Sequence, residues 1–300
     1  MRGGARWRGW RIAAACLYVS VAMAQTLPPT PETPNDYPTA LPPRKGPAPP
    51  TMIFKLLVEV PLPATPTGRA LTLDQGWLGV PVDGGTARVD LSEPAAAILA
   101  DEAPAGGEAP SGWVLSPDGR HRVRTLPAGQ VECEKLGAMR RRWKTTWSLR
   151  VPGATLAPAI LSAQRVIFGS ADNQVYCVRR KNGHRLWAAD LEDRISSPLA
   201  AWRGVVMPAP PPKGKSTPVN VEMVLVVPDG GASLIGLDVY DGSRLATFEV
   251  PSDKGMLATA PLVLPDGRIA VARKGYASGG AALLLVQPVV SEAATKTGPK

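Results

Sequence analysis

Three cysteines and two histidines in 300 residues leave little material for metal or nucleophilic chemistry. His121 and His184 stand apart, with no Cys or carboxylate at metal-ligand spacing, and read as exposed residues on or near hairpin turns. No serine lies in a nucleophile-elbow pattern, and no Gly-rich loop opens a helix. The Asp-Gly pairs beginning at Asp118, Asp229 and Asp266 lack the alternating oxygen ligands of a calcium loop and read first as hairpin signals. The expected sets of catalytic, cofactor-binding and metal-binding residues are therefore empty. Beyond residue 24 no apolar run approaches the ~20 residues of a membrane-spanning helix.

What is present begins at the N-terminus. Arg2, Arg6, Arg8 and Arg11 precede the apolar stretch Ile12 to Val21, and Ala22-Met23-Ala24 follows as a small-x-small cleavage site. Residues 1–24 thus read as a secretory signal cut before Gln25, which places the mature chain in the periplasm or outside the cell. The leader carries four arginines and no acidic residue, so its removal lowers the net charge from +9 to +5. Ten prolines then fall between residues 25 and 51, a composition that holds a chain extended as a semi-rigid tether. Cys133 and Cys177 remain in the mature protein. They are expected to be buried thiols on equivalent strands of neighbouring units, beyond the Cα separation of roughly 4.4–6.8 Å that a disulfide requires.

The fold is legible from an internal repeat. Gln130 to Trp143 and Gln174 to Trp187 align without a gap at a spacing of 44, sharing Gln, Val, Cys, Arg and Trp at five of fourteen positions. A period of this size fits one four-stranded propeller blade, which must stack on copies of itself to bury its faces. The clearest unit runs from Pro158 to Pro198. Its strands are predicted at 159–161, 165–169, 174–178 and 185–189, joined by Asn- and Gly-bearing turns. More worn units are predicted on either side. The last has only three strands of its own, and Ile53 to Pro61 is the candidate for its fourth. The expectation is an all-β protein, a propeller of about five antiparallel four-stranded blades over residues 52–290 with a disordered tail at 291–300. Pairing of the chain ends closes the last blade.

The run from Gly169 through Asp172, Val175, Tyr176, Gly183 and Trp187 resembles the repeat of pyrroloquinoline-quinone-type (PQQ-like) propellers. Cys177, Arg179 and Asn182 depart from that pattern, where the family has Ala, Asp and Thr. The resemblance is strong over about 45 residues and weakens across the remaining mature chain. It implies one of two groups. The enzymes of the family are periplasmic dehydrogenases that hold a quinone and a calcium ion, many with a disulfide between adjacent cysteines. The non-enzymes include the propeller lipoprotein of the outer-membrane β-barrel assembly machinery. This chain has no adjacent cysteines, fewer blades than the family usually has, and a tether. It is expected to stand closer to the second group, as a non-catalytic protein-binding or scaffolding module of the cell envelope without cofactor. Quinone-dependent dehydrogenation, or a degenerate remnant of it, is the alternative.

The resemblance also makes Trp143 and Trp187 the residues by which one blade docks on the next. Lys135, Arg140, Arg142 and Lys144 in one unit, and Arg179, Arg180, Lys181 and Arg185 in the next, surround equivalent hairpins and are expected to share one face. Of these, Lys135, Arg140, Arg142, Arg179, Arg180 and Lys181 are the candidate partner-binding residues. An acidic protein surface is the expected partner, with anionic lipid or a cell-wall polymer as further candidates and nucleic acid excluded by export.

Overall fold

The computed structural model describes residues 48–67, 71–94, 97–100, 112–137, 142–208, 217–276 and 280–291. The signal sequence expected at 1–24, the tether up to residue 47, Arg140 and the tail from residue 292 lie outside them. Strand β1 (Met52–Pro61) comes first in the chain but belongs to the last blade. Blade 1 is β2 (Thr72–Asp74), β3 (Trp77–Val82), β4 (Gly85–Asp90) and β5 (Ala97–Ala100). Blade 2 is β6 (Val114–Leu115), β7 (His121–Leu126), β8 (Gln130–Leu136) and β9 (Trp143–Arg150). Blade 3 is β10 (Ile160–Leu161), β11 (Arg165–Gly169), β12 (Gln174–Arg179) and β13 (Arg185–Asp190). Blade 4 is β14 (Ala200–Val206), β15 (Val219–Val226), β16 (Ser233–Asp238) and β17 (Arg244–Glu249). Blade 5 comprises β18 (Met256–Leu257), β19 (Leu262–Val263), β20 (Ile269–Lys274) and β21 (Ala282–Val290), completed by β1 along the outer edge of β21. The protein is a five-bladed β-propeller, and every strand pairing is antiparallel.

Strand period explains how the blades stack. In β11 and β12 both faces are apolar: Val166, Phe168, Tyr176 and Val178 pack against blade 2, while Ile167, Val175 and Cys177 pack against blade 4. Blades 4 and 5 meet through Met223, Leu225, Leu234, Val271 and Leu284. Blades 5 and 1 meet through Leu283, Leu285, Leu78 and Val80. Both cysteines are buried free thiols, and burial pushes the Cys177 thiol up to about 12.

Among the described residues no buried apolar cluster joins blade 1 to blade 2. There β7 and β8 alternate, turning Val123, Val131 and Cys133 toward blade 3 and Arg122, Arg124, Glu132 and Glu134 away from it. The polar face is ordered by its own pairs. The Arg122 guanidinium holds Glu134 at 2.6 Å and lies 4.3 and 4.5 Å from the Trp113 and Trp143 rings, while Arg124 holds Glu132 at 2.6 Å. On blade 1, Trp77 and Ile98 are 40% and 62% exposed.

The register corrects one reading of the repeat. Cys177 stands opposite Trp187, but Cys133 stands opposite Trp147, and Trp143 pairs with Leu136 near the hairpin end. From cysteine to tryptophan the β8–β9 hairpin runs from 133 to 147 and the β12–β13 hairpin from 177 to 187, four residues fewer, so the gapless alignment drifts out of step beyond the cysteine. Trp147 and Trp187 are the equivalent pair. Each indole N–H donates to a carbonyl in the next blade, Trp147 to Arg180 at 2.7 Å and Trp187 to Val239 at 3.1 Å. Three residues beyond each acceptor stands a glycine of positive φ, Gly183 at 72° and Gly242 at 77°. A Cβ on Gly183 would lie 2.8 Å from the Trp147 ring, and one on Gly242 would lie 2.7 Å from the Trp187 ring. Gly183→Ala is expected to cost about 1–3 kcal/mol from the left-handed backbone alone, before the ring is displaced. Equilibrium denaturation measures it.

Candidate functional site

The hairpin between β12 and β13 is fixed on three sides. The Gly183 N–H donates to Arg179 O at 2.8 Å and closes the turn. The Arg180 N–H donates to Gln164 O at 2.8 Å, tying the hairpin to the β10–β11 loop of its own blade. Arg180 O accepts the Trp147 indole from blade 2. With its backbone held, the hairpin sends Arg179 and Lys181 into solvent and turns Arg180 inward, its side chain 15% exposed.

Arg180 forms part of the wall of a cleft of about 590 Å³ between blades 2 and 3. Blade 2 contributes His121, Lys135 and Thr146, and blade 3 contributes Gln164, Arg165, Arg179, Arg180, Lys181 and Leu186. Four of the sequence-predicted residues, Lys135, Arg179, Arg180 and Lys181, are therefore brought together. Arg142 is exposed and does not line the cleft.

His121 is placed differently from its expectation as an exposed turn residue: it begins β7, and its side chain is 14% exposed. Burial, with the Arg180 charge second, lowers its pKa, against the opposing effect of Asp118. Asp118 is itself held low, first by the Ser116 hydroxyl and then by the Arg120 N–H. The Asp118 carboxylate lies 3.6 Å from Arg180 and 4.0 Å from His121. Sequence reasoning missed His121 and Arg165 as cleft residues. The available signal was their place in the repeat: Arg165 opens β11 and His121 opens β7, the same strand one blade earlier.

Arg165 belongs to two clefts. Its guanidinium donates to the carbonyls of Val239 and, at 2.9 Å, Tyr240, and stacks 5.2 Å from the Tyr240 ring. A second cleft of about 640 Å³ therefore opens between blades 3 and 4, with Arg203 and Glu222 among its lining residues. Those two side chains pair with each other at 3.2 Å. Among the described residues no three His, Cys, Asp or Glu side chains are grouped closely enough to hold a metal ion. No described helix is long and apolar enough to cross a membrane.

No family model matches the chain, and no curated protein matches it. Solved structures do resemble it. BamB from Moraxella catarrhalis aligns at 14% identity and TM-score 0.39 over 76% of this chain and 63% of that one. Glutaminyl cyclase from Myxococcus xanthus aligns at 11% and 0.37 over 82% of this chain and 100% of that one. BBS1N, solved in complex with ARL6DN, aligns at 13% and 0.42 over 75% and 65%. The chain spans less than two thirds of the BamB and BBS1N chains.

Proposed function

We propose that this chain is an exported, non-catalytic propeller that holds a protein partner in the cell envelope. The observation that carries the reading is the convergence of Lys135, Arg179, Arg180 and Lys181 on one concave cleft at a blade junction. Such a surface attracts and orients an acidic partner. The basic leader, its small-x-small end and the proline-rich stretch after it support export and tethering.

The test is a photo-cross-linker placed at Gln164, on the cleft wall, in cells that express the full chain. A discrete adduct is expected, and it should disappear in the Arg179→Glu, Lys181→Glu double variant while secretion and melting temperature hold. An adduct that survives charge reversal would sink the cleft as the binding site. A quinone titration with and without calcium, read by ultraviolet-visible absorbance, addresses catalysis: a saturable complex would replace this reading with the dehydrogenase alternative.

A further inference from the structure

The described ion pairs show how this protein usually treats its charges. On the far face of blade 2 Arg122 and Arg124 each hold a glutamate at 2.6 Å, and in blade 5 the buried Arg273 holds Glu59 at 2.5 Å. The cleft between blades 2 and 3 is arranged otherwise. His121 stands opposite Lys135 across β7 and β8, and Lys135 stands opposite Lys144 across β8 and β9. Three basic side chains thus occupy one cross-strand row, an arrangement that destabilises a sheet when they are charged. Across the cleft from that row stand Arg179, Arg180 and Lys181.

Counter-charge is scarce there. Among the described residues no carboxylate lies within ion-pair distance of Lys135, Arg179 or Lys181. Arg180 reaches Asp118 only at 3.6 Å, and its buried Nη1 has no hydrogen-bond acceptor. The buried Nδ1 of His121 also has no hydrogen-bond partner. Unpaired like charge of this density raises the free energy of the folded protein unless an anion supplies the missing partner.

We propose that the cleft binds an extended acidic peptide segment of the partner protein, with Lys135, Arg179 and Lys181 meeting its Asp and Glu carboxylates and Arg180 the most deeply seated one. The proposal rests on the reading of the chain as a protein-binding module and names the chemistry of its partner. Concavity argues against a lipid surface, since a planar membrane does not enter a cleft between two blades. The cations also come from two blades and separate strands rather than from one turn, which suits several carboxylates along a chain better than one phosphate. Alternate residues of an extended strand place side chains on one side at intervals of about 6.5–7 Å. Leu186 and Thr146 offer the remaining side chains an apolar and a hydroxyl contact within the same cleft.

The experiment is fluorescence anisotropy with the full chain and a labelled twelve-residue peptide of alternating Glu and Ser, compared with its Gln-for-Glu counterpart. The Glu peptide is expected to bind with salt-dependent affinity, and the Gln peptide at least tenfold more weakly. Arg179→Glu with Lys181→Glu should also cost at least tenfold, while Arg203→Glu at the neighbouring cleft, a pair-forming surface residue, should leave binding unchanged. Equal binding of the two peptides, or unchanged affinity after charge reversal at the cleft, would overturn the proposal. So would failure of the Glu peptide to bind while vesicles containing phosphatidylglycerol bind through the same residues. If the peptide fails but the cross-linked adduct still depends on Arg179 and Lys181, the acidic-peptide proposal falls and the protein-binding reading stands. Loss of both removes both.

Discussion

Trp147→Ala is expected to melt roughly 6–20 °C below the parent, and Trp143→Ala within a few degrees of it. The first figure follows from about 3–5 kcal/mol for truncating a buried Trp and roughly 2–4 °C per kcal/mol in a domain of this size. Trp147 is 8% exposed, lies against the Gly183 turn of blade 3, and donates its indole N–H to Arg180. Truncation opens a cavity at the blade 2–3 junction and leaves a hydrogen-bonded carbonyl without its donor. Trp143 lies at the start of the same strand, half-buried, with the Arg122 guanidinium 4.5 Å from its ring. A stacking contact at such a site contributes about 0.5–1 kcal/mol. Melting curves of both variants decide the matter, and a larger loss at Trp143 would contradict the register. Trp147→Ala also loosens the backbone of Arg180, so it should weaken partner binding along with stability.

Why the sequence pointed to Trp143 is a matter of hairpin length. Composition at the two hairpins is similar enough that a gapless alignment pairs Trp143 with Trp187. Strand register cannot slip, however, because a one-residue shift would turn the buried Cys133 and Val131 outward. The extra residues lengthen the β8–β9 ladder, which runs on to Leu136 and Trp143, whereas the β12–β13 ladder ends at Val178 and Arg185. Both hairpins bulge beside the tryptophan, at Thr146 and Leu186, and the Thr146 hydroxyl donates to Cys133 O at 3.0 Å. The middle blade was legible almost strand for strand, since it carries Asn and Gly turns between apolar runs. Blade 1 was harder: the Ala/Pro/Gly-rich stretch after Leu91 gave no strand signal, yet Ala97–Ala100 pairs with β4 as its fourth strand.

The polar face of blade 2 was present in the sequence as a strict alternation, Arg122, Arg124, Glu132 and Glu134 interleaved with Val123, Val131 and Cys133. That pattern belongs to a sheet with one wet face, whereas the apolar runs of β11 and β12 belong to a sheet covered on both. The candidate site was legible as charge alone. Sequence placed four of its cations on neighbouring hairpins, but only the stacking of blades shows that β7 adds His121 to the same cleft and that Arg165 is engaged by blade 4.

Removing residues 1–61 is expected to abolish the cooperative unfolding transition, the largest effect foreseen for any change to this chain. Strand β1 pairs with β21 from Met52 to Pro61, interrupted by one bulge after Leu56. Its side chains serve two junctions at once. Met52 and Phe54 are buried with Trp202, Met223 and Leu284 between blades 4 and 5, whereas Val60 is buried with Leu78, Leu283 and Leu285 between blades 5 and 1. The bulge lets one strand do both, by changing which side of the pleat faces which neighbour. Glu59 adds a charge pair to the buried Arg273, whose Nη1 also donates to Lys254 O at 2.6 Å. Loss of that carboxylate alone leaves a buried guanidinium unpaired, a change worth about 3–5 kcal/mol when the site is closed to water. Full truncation adds an exposed edge along β21 and two opened clusters. Circular dichroism on heating should then show a broad slope in place of a transition, and a synthetic peptide spanning residues 50–63 should restore the transition in trans. A truncated chain that still melts cooperatively would mean that blade 5 stands without its borrowed strand, and that the N-terminal segment is an attachment to the propeller instead of part of it.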